Sequence, residues 1–394
     1  MISVAEALDK VLALIAALPA EQVPLAQAAG RELARDGVAA RAQPPFDASA
    51  MDGYAVRAAD AQAGAVLRII GEAQAGHRFG GTLGSGEAVR IFTGAPVPPG
   101  ADRVVIQEDV TRDGDRVTLG AAPETSTNIR AKASDFAVGD RLSAPRRLRP
   151  NDLALLAAMN LGQVSVARRP VVALIATGDE LRMPGEALGA DEIAASNIFA
   201  LRAMAEAEGA EVRLLPIARD TEAALRQAFA LAEGADLIVT VGGASVGDHD
   251  LVGRVAEGLG MQRAFYKIAM RPGKPLMAGR LGAAVMLGLP GNPVSAIVCG
   301  HLFMLPALRA LQGLPDPAPR LRRGILAQDV PANGARTHYM RAVLTETDAL
   351  PRIRPFASQD SALLGILARA NALLVRPPDD AARPEGAVIQ YMVV

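Results

Sequence analysis

The sequence predicts a multidomain α/β chain, with a central doubly wound α/β domain, a β-rich N-terminal region and a small, β-barrel-like C-terminal domain. Length is the first observation: 394 residues exceed what one ordinary hydrophobic core supports, so two to four domains are expected. The second lies between Pro170 and about Leu311, where VVALIA, VRLLPI, LIVTV and AVMLGLP are apolar runs and helical stretches separate most of them. Strands covered on both faces lose polar alternation, and alternating with helices they indicate a parallel, doubly wound sheet. The third is the texture from about 46 to 145, where the runs VLRIIGEA, AVRIFTGAPVPPGAD and RVVIQEDV are broken by Gly and Pro.

In chain order, residues 1–45 read as helical and end in the Pro-rich entry Gln43-Pro44-Pro45. Val4, Leu8, Val11, Ile15 and Leu18 share one helical face, and Ser3 with Glu6 forms a capping box. The apolar run Val11 to Leu18 is not read as a signal peptide, because Glu6 and Asp9 stand where such a signal carries positive charge. Helical patterning returns from Asn151 to Leu161, so residues 1–45 and 146–168 form an N-terminal helical and linker domain into which 46–145 is inserted. The α/β domain is expected over 169–312, the segment Gly313 to Pro319 is a linker by composition, and 320–394 holds short strands such as AVLTET and VIQYMV. No apolar stretch reads as long enough to span a bilayer.

Composition narrows the function classes. Half the residues are hydrophobic but only 3% are aromatic and none is Trp, so Ala, Val, Leu and Ile must build the core. A formal net charge of −1 gives no electrostatic footprint for nucleic acid or a membrane surface. The single cysteine, Cys299, excludes an internal disulfide framework and a multi-thiolate zinc site. Its apolar setting reads as a buried, inert thiol, and a reducing cytosol fits. Of 41 basic residues only Lys10, Lys132, Lys267 and Lys274 are lysines, and two of these lie within YKIAMRPGKP. A compact ammonium and a guanidinium are not interchangeable where charge must reach an oxyanion.

The α/β region carries four Gly- or Pro-marked loops: Thr177-Gly-Asp-Glu-Leu181, Gly242 to Asp250, Met270 to Pro275 and Gly288 to Ser295. The first two follow predicted strands, which puts them on the carboxyl edge where open parallel sheets bind ligands. The Gly242-Gly243 turn offers backbone N–H groups to phosphate, although it has neither the Walker lysine nor the Rossmann spacing. A plain tight turn with capping aspartates is the bland alternative. Gly243-Ala-Ser-Val-Gly247 also matches a nucleophile elbow around Ser245, with Asp329, His301 or His338 available downstream. The apolar surroundings of His301 and the Asp248/Asp250 pair beside Ser245 disfavour that hydrolase reading.

The acidic residues Glu180, Asp220, Asp248 and Asp250 suit hard Mg²⁺, which takes one or two carboxylates plus substrate phosphate oxygens. Asp220 could instead cap a helix. Lys267, Arg271 and Lys274 supply the opposite charge for a tetrahedral oxyanion, and four dispersed histidines make a His-ligated metal site improbable. Pro290, Asn292 and Pro293 form a rigid turn into a helix and could equally wall a pocket.

These loops together resemble the molybdopterin-binding domain of molybdenum cofactor biosynthesis proteins. The stretch Pro45-Phe-Asp-Ala-Ser-Ala-Met-Asp-Gly-Tyr-Ala-Val56 resembles the opening signature of the molybdopterin molybdenumtransferase family. Ile91-Phe-Thr-Gly-Ala-Pro96, Val105-Ile-Gln-Glu108, Asn128-Ile-Arg130 and Arg149 to Ala158 continue it in order, so the resemblance spans essentially the whole chain.

The resemblance implies an elongated homodimer whose active site lies between the α/β domain of one subunit and the β-rich region of the other. It implies that molybdate enters the dithiolene of adenylylated molybdopterin with Mg²⁺, and that the adenylate is hydrolysed to AMP. It implies catalytic roles for Asp52, Glu180, Asp250 and Lys274, with Asp220 and Asp250 as Mg²⁺ ligands. Thr93, Arg130, Asp135, Gly242, Gly243, Ser245, Arg271, Pro290, Asn292, Pro293, Arg341 and Ser361 are the substrate-binding set, of which Lys274's companions Arg341 and Ser361 would contact molybdate. Transient contacts with a molybdopterin adenylyltransferase and with apo-molybdoenzymes follow from the same resemblance, as does a cytoplasmic setting. The sequence departs from the family where Arg271 replaces a second lysine, where Gly365 and Ala368 replace serines, and at Ser134. A non-catalytic molybdopterin-binding scaffold and a molybdopterin adenylyltransferase are the alternatives.

Overall fold

The computed structural model describes residues 1–120, 126–243 and 251–394. The chain divides into two compact units, one of Met1–Glu21, Gly30–Ala34 and Val166–Val394, the other of Gln22–Ala29 and Arg35–Ser165.

The first unit begins with α1 (Val4–Ala13), where the Ser3 hydroxyl accepts from Glu6 N and the Glu6 carboxylate accepts from Ser3 N. This is the expected capping box, and the buried face of α1 carries Ala7 and Val11 into the main core. The four apolar runs become β1 (Val171–Ala176), β2 (Glu211–Leu214), β3 (Leu237–Val241) and β6 (Ala284–Leu289). Between them stand α2 (Asn197–Ala207), α3 (Glu222–Leu231) and α4 (Leu251–Gly258), then β4 (Gln262–Tyr266) and β5 (Met277–Leu281). The sheet runs β2-β1-β3-β6-β5-β4. The first four strands are parallel and the last two antiparallel.

Strand alternation explains the two-sided winding. Val172, Leu174, Leu237, Val239, Val285 and Leu287 point into one core with α2 and the helices after β6. Ala173, Ile175, Ile238 and Met286 point into the other, with Leu225 and Phe229 of α3 and Val252 and Val255 of α4. Successive side chains on a strand face opposite ways, so an apolar run feeds both layers at once. The chain leaves β1 toward β2 and returns past it to β3. Between β1 and β3, therefore, the loops at the carboxyl ends diverge and leave a crevice.

After β6 come α5 (Pro293–Cys299), a π-helical turn over Gly300–Met304 and α6 (Leu305–Leu311). Together they form a 19-residue helix long and apolar enough by composition to cross a bilayer, which corrects the expectation that no such stretch exists. That helix is 83% buried inside the protein, and core burial accounts for its apolarity. Cys299 lies in it fully buried, and burial pushes its thiol far up.

The C-terminal strands β7 (Arg322–Leu326), β8 (Thr337–Thr345), β9 (Arg352–Pro355), β10 (Ala372–Arg376) and β11 (Val388–Val393) close into a five-stranded barrel. Its circuit is β8-β9-β7-β11-β10 and back to β8. Leu326, Ala342, Ile353, Leu374 and Tyr391 fill its interior. The two-residue strand Met270–Arg271 pairs in parallel with β8, joining the loop that carries Arg271 to the barrel.

In the second unit a six-stranded sheet runs Arg103–Ile106, Gly53–Val56, Glu87–Ile91, Val66–Ala73, Arg116–Leu119 and Val110–Asp113. Tyr54, Leu67 and Val117 cover one face, and Ala55, Val89 and Ile91 the other.

Candidate active site

A cavity of about 650 Å³ opens at the crevice predicted by the strand order. Of the expected site residues, Glu180, Asp220, Gly242, Gly243, Pro290, Asn292 and Pro293 line it. Their loops are tied together by the backbone. Thr177 N donates to Val241 O at 2.9 Å, Gly178 N to Ala218 O at 3.1 Å and Gly242 N to Leu289 O at 3.1 Å. Ser245, Asp248 and Asp250 lie outside the described residues, so the nucleophile-elbow reading and one of the two metal ligands lie there too.

Gly242 and Gly243 take positive φ values of 99° and 62°. A Cβ on Gly242 would stand 2.4 Å from Thr177 O, and one on Gly243 2.4 Å from the Val252 side chain. Glycine is therefore needed twice over here, for dihedral freedom and for space. Beneath this turn the Thr177 hydroxyl is buried and unpartnered among the described residues.

The carboxylates Glu180 and Asp220 line the same cavity. Thr221, whose hydroxyl accepts from Ala224 N at 3.2 Å, caps α3, which settles the capping alternative for Asp220. Asp220 is left facing the cavity. Partial burial and then the nearby Asp179 and Glu180 carboxylates raise its pKa above the ordinary value. Crowded negative charge of this kind fits a cation. Among the described residues no group of three His, Cys, Asp or Glu side chains converges on one point.

Sequence reasoning missed Asn197 and Ala362, both of which line the cavity. The Asn197 amide donates to Gly291 O at 2.7 Å, bracing the Pro290–Pro293 turn. The Asn292 side chain makes no cap bond to α5, and the residue lines the cavity. Neither missed residue has a local signature, since one opens a helix and the other belongs to a loop of the distant barrel region.

The basic residues fall in different settings. Pro275 lines the cavity beside Lys274, and Ile268 N donates to Lys274 O at 3.0 Å. Arg271 is exposed and stands opposite His338 of β8. Arg341 is 1% exposed. Its guanidinium donates to Leu363 O at 3.2 Å and Ser358 O at 3.3 Å, and Nε reaches Gln359 Oε1 at 3.4 Å. Within the loop so held, Ser361 O accepts from Val294 N at 3.1 Å, and Ala362 reaches the cavity lining.

The remaining expected residues form a second cluster, within the other unit. Asp52 Oδ1 accepts from both Thr93 N and Thr93 Oγ1 at 2.8 Å. These two bonds, the backbone one first, hold its carboxyl below the ordinary value. Arg130 pairs opposite Ala48, and Asp135 N donates to Gln43 O at 3.0 Å. Further bonds, Gly94 N to Ser49 O at 2.8 Å and Ala50 N to Asn128 O at 2.9 Å, knit the three segments together.

The N-terminal region of MoeA (domains I and II) matches residues 2–160, a probable molybdopterin binding domain matches 173–310, and the MoeA C-terminal region (domain IV) matches 323–394. A molybdopterin molybdenumtransferase of Haemophilus influenzae is 40% identical over 74% of this chain and 73% of its own length. The chain belongs to the molybdopterin molybdenumtransferase family. A second member, from Nostoc sp., is 37% identical over 91% of this chain and 85% of its own. A solved structure of a molybdopterin biosynthesis MoeA protein from Pyrococcus horikoshii superimposes over 100% of both chains with a TM-score of 0.83 at 27% identity. The family is one of molybdenum cofactor biosynthesis enzymes; the cavity is built chiefly from its molybdopterin-binding region, and the Asp52 cluster lies in its N-terminal region.

Proposed function

We propose that this enzyme inserts molybdate into adenylylated molybdopterin and hydrolyses the adenylate, releasing AMP. The observation that carries the reading is the cavity at the β1/β3 crevice, lined both by a glycine turn suited to phosphate and by the mutually repelling Glu180 and Asp220 carboxylates. Gly242 N is spent on Leu289 O, so the Gly243 N–H is the donor this turn offers to a phosphate oxygen. Pro290, Asn292 and Pro293, braced by Asn197, form a stiff wall for the pterin ring, with the Asn292 amide as its polar anchor.

Asp220 and Glu180, with Asp250, would hold Mg²⁺, which supplies charge neutralisation at the phosphoanhydride. Lys274 and Arg271 offer cationic donors to the molybdate dianion, and Lys274 is placed next to the cavity lining. Arg341 supports Ser361 through the loop it holds. Asp52, fixed by Thr93 and kept ionised, serves as an oriented negative group, with Arg130 and Asp135 on the adjoining segments. Homodimerisation and a cytoplasmic setting belong to the same reading.

The test is AMP release from adenylylated molybdopterin by purified protein with Mg²⁺, with and without molybdate. Molybdate-dependent release, with activation of an apo-molybdoenzyme by the product, is expected. Binding without release in either condition would indicate a scaffold, and ATP consumption with molybdopterin an adenylyltransferase.

A further inference from the structure

Arg90 belongs to neither the expected site set nor the steps proposed above, yet its contacts converge on Asp52. It lies in the strand Glu87–Ile91, directly opposite Tyr54 on Gly53–Val56. Its guanidinium carbon stands 5.1 Å from the Tyr54 ring centre and 4.7 Å from that of Phe92. Nη1 donates to Gly53 O at 3.0 Å and Nη2 to Gln107 Oε1 at 2.6 Å. Gln107 N in turn donates to Asp52 O at 3.0 Å.

One planar group thus reaches three segments of the same small cluster. Gly53 directly follows Asp52, Phe92 directly precedes Thr93, and Gln107 bonds to the Asp52 backbone. The Arg90 charge also adds to the forces lowering the Asp52 carboxyl. Bidentate donation combined with stacking between two rings needs a guanidinium, and an ammonium can supply only the charge.

We infer that Arg90 is a positioning residue for the Asp52 carboxylate, locking the segments that carry Asp52 and Thr93 into one arrangement. The inference rests on the reading that Asp52 serves the reaction. An ordinary cross-strand cation–π contact would stabilise the sheet without any link to Asp52, and the two roles separate in a double-mutant cycle.

The experiment compares full-length wild type, D52N, R90M and D52N/R90M for molybdate-dependent AMP release, recording kcat, KM and thermal unfolding. R90M is expected to lower kcat about 10- to 100-fold, the scale of a small misplacement of a reacting group, while KM changes less than about 3-fold. In the D52N background the same substitution should cost less than about 2-fold, because residues acting as one unit do not add. The acid limb of the R90M pH–rate profile should also move upward, because removing a cation raises a carboxyl pKa. If R90M fails to fold, R90K carries the same cycle, keeping the charge but losing the fork. Losses that multiply in the double variant, or an R90M enzyme at the wild-type rate, overturn the inference alone. A D52N enzyme at the wild-type rate removes Asp52 from the reaction and takes the inference with it.

Discussion

One oxygen of Asp52, Oδ1, accepts two hydrogen bonds from a single residue, the backbone N–H and the side-chain hydroxyl of Thr93, both at 2.8 Å. Both bonds favour the charged carboxylate, lowering its pKa, and fix its direction. Replacing Thr93 with Val removes the hydroxyl bond and keeps the backbone one. The Asp52 pKa should then rise toward its ordinary value and carry the acid limb of the AMP-release profile to higher pH. A loss of about tenfold in kcat with little change in melting temperature is expected for this exposed site. A profile that superimposes on the wild type would disconnect Asp52 from the rate.

Asp220 behaves oppositely. Its raised carboxyl pKa means that the ionised form is disfavoured in the folded protein, so its effect on stability becomes less favourable as pH rises past the ordinary carboxylate value. D220N should therefore melt slightly above wild type at pH 7 while losing at least about 100-fold in activity. Mg²⁺ should raise the wild-type melting temperature more than that of D220N. Equal Mg²⁺ stabilisation of both proteins would take Asp220 out of the metal site.

Gly242 has almost no room to change. An added methyl group meets Thr177 O at 2.4 Å from a backbone with φ of 99°. G242A should destabilise the first unit by about 2–4 kcal/mol, combining left-handed strain with a backbone clash. Urea unfolding measures this directly, and a cost below about 0.5 kcal/mol would mean that the turn adapts freely.

Arg341 is buried with its guanidinium spent on main-chain carbonyls of the 358–363 loop. R341M keeps the stem but orphans those acceptors, at a cost of about 2–3 kcal/mol. Amide exchange should accelerate in residues 356–364, and activity should fall through the loosened Ser361. Unchanged exchange there, with molybdate affinity alone reduced, would place the guanidinium on molybdate instead.

His338 links acid stability to the barrel. Burial first, then the Arg271, Arg376, Arg341 and Arg336 guanidiniums, draw it down to about 4, so the folded protein keeps it neutral. An unfolded chain takes up a proton near 6.5, hence the stability present above that value is lost as pH falls toward 4. Between pH 7 and 4.5, wild type should lose roughly 2–3 kcal/mol more than H338Q. Parallel stability curves for the two proteins would contradict it.

The central sheet was legible because three of its four parallel strands, β1, β3 and β6, are apolar on both faces, and the loops TGDEL and Gly242-Gly243 follow two of them directly. The capping box at Ser3 was equally local. The antiparallel strands β4 and β5 were not: QRAFY and MAGRL mix charge with apolar residues, and only their pairing with β6 reveals them.

By itself the sequence determined the α/β sheet, the family and the loops at its carboxyl edge, because each depends on short-range pattern or on long ordered motifs. Only the tertiary structure decided which residues those loops bring to the cavity. It freed Asp220 by giving the cap to Thr221, buried Arg341 behind the 358–363 loop, and set Asn197 against Gly291 from 94 residues away. It also gathered Arg90 onto Asp52 through Gly53 and Gln107. Such contacts join residues far apart in the chain, and their energy comes from packing and desolvation, which a linear pattern does not encode.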